Sequence, residues 1–441
     1  MIKLTLNNYS WYLHKSFINN ILRLCVFARD ELSRFTHFLK TCWLAFFIIL
    51  FISIFFRIKI IHDLPLGTET TSYGLKGFDD EPAHFNYTKF LIEKNELPVL
   101  ENRITDPDAF QINEFEYHQP PLYYLLVAVL SEISTVQSDR GILLIGRYLS
   151  FFLFLLSLWI MFGIFKNIGW RDAQTLIALT IFCLLGSNVY QFSLFNNDGL
   201  SWFLLWTTFY LVIKGFTRNF LALILILTLC HYTKSNVFVC YLVFLWAAIK
   251  EIRELPKTTT YLKIAAIFVI PVFLAFPWYA RNYILYGDFF SISLITGDNW
   301  HFVSTLEESV LKLLRMPYSF LFRMHFIPPK PILSWFNVMP YMWCVFAGLY
   351  WLFYIKTGLK SSYTFQLMSI LLISMVVAYI RYAIPTGHTE GRFLYPAMPA
   401  ILFFMTSSIH TFHTKYKIPG DILLVLVAAI FLPSFIVGFF F

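Results

Sequence analysis

The chain has 441 residues, of which 58% are hydrophobic and only 14% are charged. Soluble domains average about 25% charged residues, so a water-soluble fold is excluded and lipid is the expected solvent. The formal net charge of +8 comes from Lys and Arg residues in short connections between apolar runs, which the positive-inside bias explains without a nucleic-acid partner. The six cysteines are scattered and form no CxxC pair, which indicates neither a disulfide framework nor a zinc site.

The first element in the chain is a polar segment. About forty polar and basic residues precede the first long apolar run, and no small-residue cleavage site follows that run. We therefore expect residues 1–40 to form a cytoplasmic segment. The remainder, residues 41–441, is expected to form one membrane domain, because no internal repeat or low-complexity linker divides it.

Apolar runs that approach or reach the length of a membrane span, roughly 17 to 25 residues, recur throughout this domain. They predict an all-α fold, a polytopic transmembrane helix bundle with about eleven spans. The runs lie at 41–60, 142–165, 173–193, 199–214, 219–233, 236–250, 261–280, 335–355, 363–380, 393–411 and 419–440.

The short loops predict the orientation of the bundle. If the N-terminus is cytoplasmic, every basic short loop falls on the cytoplasmic side, as the positive-inside rule requires. These loops carry Lys166, Arg171, Lys214, Arg218, Lys250, Arg253, Lys257, Lys356, Lys360, Lys415 and Lys417. Two long segments, 61–141 and 281–334, then face outward.

Both outward segments contain an apolar stretch that we interpret as a surface helix. Residues 120–137 are apolar enough to resemble a span, but counting them as one would reverse every loop that follows. They are therefore predicted to form an interfacial or partly re-entrant helix. Residues 305–323 have an apolar stripe that is typical of a second amphipathic surface helix.

The first outward segment holds the densest polar cluster, GFDDEPAHF at 77–85. Its carboxylates are Asp79, Asp80 and Glu81, followed by Pro82 and then His84. Pro suits the first turn of a helix, and carboxylates there complement the helix dipole. An acidic helix start and a functional cluster are therefore both consistent with this motif alone.

Two further polar clusters are predicted to lie on the same side. Residues 114–124 read EFEYHQPPLYY and include Glu116 and His118, either at the start of the interfacial helix or as part of a site. The Asn196-Asn197-Asp198 cluster lies between two apolar runs. It either caps the next helix or binds a cation or a sugar hydroxyl.

A fourth signal is basic. Lys234, Arg281, Arg381 and Arg392 all lie near outward ends of predicted spans, against the orientation bias of the other loops. Each one alone is consistent with snorkelling to lipid phosphates. As a set near the carboxylates, they indicate a binding site for an anionic group.

These motifs resemble the GT-C glycosyltransferases, most closely the protein O-mannosyltransferase and lipid A aminoarabinose-transferase branch. DDEPAHF resembles the family segment FDExHF, and EYHQPPLYY resembles DxHPPL. This sequence has one extra residue between Glu81 and His84, one between His118 and Pro120, and Glu in place of the second Asp. It is still more similar to uncharacterised bacterial relatives with DEPAHF and HQPPLYY signatures.

The resemblance implies roles for these residues. Asp80, or its neighbour Asp79, would be the general base, with Glu81 beside it in the catalytic motif. Acceptor or metal support would come from Asp79, His84, Glu116, His118 and Asp198. The phosphate of the lipid carrier would meet Arg381 and Arg392, with Lys234 and Arg281 as helpers.

The implied function is an inverting glycosyltransferase of a bacterial inner membrane. It would take sugar from a polyprenyl-phosphate carrier and pass it to a lipid, glycan or protein acceptor on the outer face, among membrane lipids. The residues suit this chemistry, because a glycosyl phosphate needs cations for its leaving group and one carboxylate for the acceptor proton. The acidic residues permit, but do not require, a divalent ion such as Mg²⁺ or Mn²⁺.

Two other functions stay open from the sequence. A transporter or flippase would also have many spans and buried charge, although such proteins are often built from inverted repeats with sites near the bilayer midplane. A polymerase or ligase of lipid-linked glycans would use outward Arg residues in a similar way.

Overall fold

The computed structural model describes residues 42–66, 80–100, 115–291, 348, 350–352, 362–386, 391–416 and 427. Within these ranges every regular element is helical, so the predicted all-α membrane bundle is confirmed. The helices are α1 (Cys42–Asp63), α2 (Glu81–Lys94), α3 (Leu122–Ile133), α4 (Asp139–Asn167), α5 (Asp172–Leu184), α6 (Gly186–Gln191), α7 (Asp198–Lys214), α8 (Phe220–His231), α9 (Val237–Glu254), α10 (Thr258–Tyr286), α11 (Tyr363–Thr386) and α12 (Met398–Tyr416). Two 3₁₀ turns, Phe115–His118 and Gly391–Ala397, complete the set.

Five helical segments of the described residues are long and apolar enough to cross a membrane. They are Cys42–Asp63, Asp139–Asn167, Thr258–Tyr286, Tyr363–Arg381 and Gly391–Thr411. The predicted runs at 335–355 and 419–440 lie almost wholly outside the described residues, as does the predicted surface helix at 305–323. The total of about eleven spans therefore stays a prediction.

The apolar run at 173–193 forms two helices instead of the single predicted span. The helix breaks at Leu185, whose backbone is extended. The side-chain amide of Asn188 donates to the Phe182 carbonyl at 2.6 Å, an oxygen that a continuous helix would pair with a backbone N–H four residues later. Arg57 of α1 donates to the carbonyls of Asn188 and Val189, at 2.9 Å each, and so holds the short helix α6 in place.

The stretch at 120–137, predicted as an interfacial or partly re-entrant helix, forms the shorter helix α3. Helix α3 has 12 residues, which at 1.5 Å per residue gives a length of about 18 Å, well short of the roughly 30 Å hydrocarbon core. It buries Tyr123, Tyr124 and Val127 against the bundle and exposes Leu126 and Val129. The exposed apolar side of so short a helix fits the surface of a bilayer better than a crossing of it.

The long helices run in alternating directions, so the helix bundle has two distinct ends. At one end, the Lys250 ammonium lies 3.5 Å from the centre of the Tyr363 ring, and Glu251 accepts hydrogen bonds from Thr217. Thr217 follows α7, and Lys250 and Glu251 lie near the end of α9. The basic connections at 214–218 and 250–257 therefore share this end of the bundle. The starts of α2 and α7, the end of α8 and the turn at 391–397 lie together at the opposite end.

An aromatic core supports the turn at 391–397 from beneath. The Trp206 indole N–H donates to the carbonyls of Tyr395 and Pro396, at 3.2 and 3.3 Å. The Trp202 ring packs edge-on against Tyr395 with ring centres 4.6 Å apart, and the Tyr395 hydroxyl is hydrogen-bonded to Ser187. This packing fixes the backbone that presents Arg392.

Candidate active site

Asp80 lies immediately before α2, but its carboxylate does not cap that helix. Its Oδ2 instead accepts a charged hydrogen bond from Nη2 of Arg392, a residue 312 positions later in the chain. The interpretation of this motif as an ordinary acidic helix start therefore fails for Asp80. Its side chain belongs to a charge cluster.

The charge cluster consists of Asp80, Arg392, Asp198 and Lys234. Nη1 of Arg392 lies 3.8 Å from Oδ2 of Asp198, and Nζ of Lys234 lies 2.5 Å from Oδ1 of Asp198. Negative and positive groups therefore alternate from one contact to the next, in the order Asp80, Arg392, Asp198 and Lys234. The Asp198 side chain is only 7% exposed and that of Arg392 11%, whereas the Asp80 side chain is 24% exposed.

The cluster holds Asp80 in its charged form. Burial alone would raise the pKa of the Asp80 carboxyl, but the charge and hydrogen bond of Arg392, with a smaller contribution from Lys234, lower that pKa below its ordinary value. Asp80 is thus a carboxylate at neutral pH, and one of its oxygens is occupied by a guanidinium.

His84 and Glu116 form a second, more weakly connected part of the site. Nδ1 of His84 is hydrogen-bonded to the Tyr124 hydroxyl at 2.7 Å, and Nε2 lies 3.9 Å from Oε1 of Glu116. Burial lowers the pKa of the His84 imidazole despite the nearby carboxylates, so this ring is neutral at pH 7. Burial also raises the pKa of Glu116, and its Oε2 has no hydrogen-bond partner among the described residues.

The motif around His118 is joined to the Asn196-Asn197-Asp198 cluster by a hydrogen bond between Gln119 and Asn197. His118 is buried beside Gln119, with 3.5 Å between the His118 Nε2 and Gln119 Nε2 atoms. The side-chain oxygen of Gln119 accepts from the Asn197 amide at 3.4 Å. The backbone carbonyl of Gln119 accepts from the Tyr87 hydroxyl at 3.2 Å, which ties the motif to α2.

At the start of α7, Asn196 caps the helix, as one of the two sequence interpretations predicted, while binding of a cation or a sugar hydroxyl stays a prediction. Oδ1 of Asn196 accepts from the backbone N–H groups of Asp198 and Gly199, at 3.0 and 3.4 Å. Asn196 therefore satisfies the helix start. Asp198 is left to pair with the two cations.

The turn that carries Lys234 is held from three sides. The Leu122 N–H donates to the Tyr232 carbonyl at 2.9 Å, which fixes the turn to the start of α3. Ser201 of α7 donates to the side-chain oxygen of Asn236 at 3.1 Å. Below the turn, buried His231 is hydrogen-bonded to the hydroxyls of two tyrosines, at 2.9 Å each, Tyr279 and Tyr241.

Glu81, predicted beside Asp80 in the catalytic motif, is completely enclosed in an ion pair. Arg147 donates to it through two parallel bonds, Nε to Oε1 at 2.7 Å and Nη2 to Oε2 at 2.6 Å. The Phe195 N–H donates to Oε1 as well, at 2.8 Å. Arg147 also donates to the carbonyls of Ile61 and Leu64, so the pair joins α1, α2, α4 and the segment before α7.

Arg147 was overlooked by the sequence reasoning. It lies inside the predicted span at 142–165, where a charged residue is costly and needs a partner. A charged residue within a predicted span was therefore the sequence feature that could have identified Arg147 as part of a buried ion pair. The pair with Glu81, in which both side chains are 0% exposed, anchors the residue next to Asp80.

The remaining predicted cations lie elsewhere. Arg281 donates to the Pro98 carbonyl at 2.6 Å and lies over the Trp278 ring, 4.9 Å from its centre. It thereby fastens the segment after α2 to the end of α10. Arg381 is exposed on α11, and Asp79 lies outside the described residues.

The donor types in the site are those that bind divalent cations, but their arrangement here is a set of ion pairs. No group of three or more acidic, His or Cys side chains among the described residues is arranged to hold a metal ion. Arg392 and Lys234 occupy oxygens of Asp80 and Asp198 that a metal would need. Among the described residues, the arrangement is therefore one of ion pairs between side chains and not a metal site.

No protein-family model matches the chain, and no curated protein matches it in sequence. Its fold matches solved structures of the oligosaccharyltransferase of Archaeoglobus fulgidus, at 12% sequence identity. The complex with zinc and sulfate aligns with a TM-score of 0.53 over 89% of this chain and 52% of that one. The complex with an inhibitory peptide and a dolichol-phosphate aligns with a TM-score of 0.50 over 89% of this chain and 55% of that one.

The chain shares the fold of this oligosaccharyltransferase. It spans about half the length of the oligosaccharyltransferase that it matches. The helical membrane fold expected from the sequence is thus confirmed, while membership of the GT-C glycosyltransferases and the branch stay predictions.

Proposed function

We propose that this chain is a glycosyltransferase that takes sugar from a polyprenyl-phosphate carrier at the outer face of a bacterial inner membrane. One observation carries the proposal: Arg392 and Lys234 meet Asp80 and Asp198 at the end of the bundle opposite the basic connections. By the positive-inside rule that end faces outward, with the N-terminus in the cytoplasm. A related fold solved with a dolichol-phosphate supports a lipid-linked donor.

The cluster contains the two kinds of group that the reaction needs. The leaving phosphate gains negative charge as the bond to the sugar breaks, and Arg392 with Lys234 would stabilise that charge. Asp80 would accept the proton of the acceptor hydroxyl as the acceptor oxygen bonds to the anomeric carbon. Attack from the side opposite the phosphate inverts the anomeric centre.

The other predicted residues take supporting roles in this proposal. Glu81, tied to Arg147, positions the start of α2 and with it Asp80. Glu116, with an oxygen that accepts no hydrogen bond from a described residue, and buried His118 would bind the acceptor. Arg381, exposed on α11, would contact the carrier headgroup at the membrane surface. Arg281 would anchor the segment after α2.

A second candidate is transfer of a preassembled glycan from its lipid carrier. The likeness to an oligosaccharyltransferase fold favours it, and the same cations and base would serve. The mass of the product distinguishes the two functions, since one adds a single sugar and the other a chain of sugars.

The proposal is tested by transfer assays on the purified protein in lipid nanodiscs. Radiolabelled polyprenyl-phosphate hexoses and pentoses are offered together with membrane extracts as the source of acceptor. Asp80→Asn removes the base without changing its size, so transfer should fall by about 100-fold or more. The matched control is Asp63→Asn, which alters an exposed carboxylate paired with Lys59 and should transfer at the wild-type rate. An Asp80→Asn protein with full activity would refute the assignment.

A further inference from the structure

Arg392 is shared between two carboxylates, and the proposed reaction requires it to bind a third anion. We propose that Asp80 and the carrier phosphate compete for Arg392, so that binding of the donor itself releases Asp80 to act as the base. This inference rests on the proposed function. It adds an order to the reaction: the donor enters first, and only then can the acceptor be deprotonated.

The geometry identifies which partner Arg392 would exchange. Both terminal nitrogens of its guanidinium point to carboxylates, Nη2 to Asp80 and Nη1 to Asp198. A phosphate is bound best by two parallel N–H bonds from one guanidinium, and at these two nitrogens it would compete with the carboxylates for Arg392. If Asp198 lost Arg392, or shared it with a phosphate, it would still be paired with Lys234, which lies 2.5 Å away. The ion pair of Asp80 is with Arg392, so Asp80 is the partner that the phosphate would replace.

The exposed fractions of the two carboxylates also favour Asp80, and not Asp198, as the partner that leaves Arg392. The Asp80 side chain is 24% exposed, against 7% for Asp198, so Asp80 can move away from Arg392 with less repacking. Asp198 would remain between the two cations and hold Arg392 and Lys234 together as one receiver for the phosphate.

The exchange changes the chemistry of Asp80. While it is paired with Arg392, its oxygen is blocked and its pKa is held below the ordinary value. Once a phosphate neutralises Arg392, the burial of Asp80 remains and its proton affinity increases. The base therefore becomes active only when a leaving group is in place.

The cycle balances without any further reactant. The acceptor oxygen bonds to the anomeric carbon, its proton goes to Asp80, and the carbon–oxygen bond to the phosphate breaks with its electron pair on the phosphate. Departure of the carrier phosphate and loss of the proton from Asp80 to water restore the Asp80–Arg392 pair.

Binding of a sugar-free, short-chain polyprenyl phosphate tests the inference. The dissociation constant is measured by titration calorimetry in EDTA, so that no metal contributes. Asp80→Asn removes the competing charge and should tighten binding about tenfold, because a charged hydrogen bond to Arg392 no longer has to be broken. Asp63→Asn is the matched control, because it removes an exposed carboxylate that is paired with Lys59 and not with Arg392, and its affinity should stay within about twofold of wild type.

The outcomes separate the inference from the proposed function. If wild type binds the lipid phosphate, and Asp80→Asn loses transfer but binds no more tightly, the competition is wrong and the function stands. If wild type binds no polyprenyl phosphate and Asp80→Asn remains active, the proposed function itself fails. Steady-state kinetics of the wild type give a second test that needs no variant: a donor-first order is expected, and a random order would overturn the competition.

Discussion

At the scale of single residues, two neighbours in one motif have opposite surroundings. Glu81 is sealed in a bidentate ion pair with Arg147, while Asp80 is partly exposed and paired with Arg392. The sequence placed both carboxylates at a helix start, and the helix does begin there. It gave no means of telling them apart, because their partners lie 66 and 312 residues away, far beyond any local pattern.

The Glu81–Arg147 pair should stabilise the fold and should not take part in the chemistry. Glu81→Gln leaves Arg147 buried without its counter-charge, which costs about 3–5 kcal/mol for such pairs. We expect a large fall in the thermal midpoint measured in detergent. Asp139→Asn breaks the exposed pair with Lys89 and should cost less than about 1 kcal/mol. Equal thermal midpoints for Glu81→Gln and wild type would contradict the anchoring role.

At the scale of elements, hydropathy located the helices well and their ends poorly. Helix α10 was predicted at 261–280 but spans Thr258–Tyr286, because polar Asn282 is buried and the Tyr286 hydroxyl accepts from the Leu100 N–H. The run at 173–193 was predicted as one span but breaks at Leu185. In each case a side-chain contact to a distant segment decides the outcome, and a window of hydropathy contains no such contact.

Helix α4 packs closely against the segment before α7, and Gly146 permits that approach. A Cβ at Gly146 would lie 2.2 Å from the Phe195 ring, and Phe195 donates its N–H to Glu81. Gly146→Ala should therefore destabilise the protein by about 1–3 kcal/mol and also reduce transfer, by displacing Glu81 and the start of α2. The variant is compared with wild type by thermal midpoint and transfer rate. Unchanged values for both would show that this contact is not needed.

At the scale of the whole molecule, the two ends of the helix bundle carry different arrangements of charged residues. Basic connections gather at one end, where the sequence predicted the cytoplasmic side. Four charged residues from four separate segments meet at the other end. The sequence predicted that acidic and basic sets share one side, because the loops alternate along the chain. It did not predict that Arg281 and Arg381 stay out of the cluster, since their positions depend on how helices pack.

A structure of the protein in nanodiscs with bound polyprenyl phosphate tests the central claim most directly. We predict that the phosphate contacts both Arg392 and Lys234, at the end of the bundle that carries α2, and that Asp80 has separated from Arg392. Phosphate bound instead among the basic connections at 166–171, 214–218 or 250–257, with Asp80 still paired to Arg392, would contradict the account.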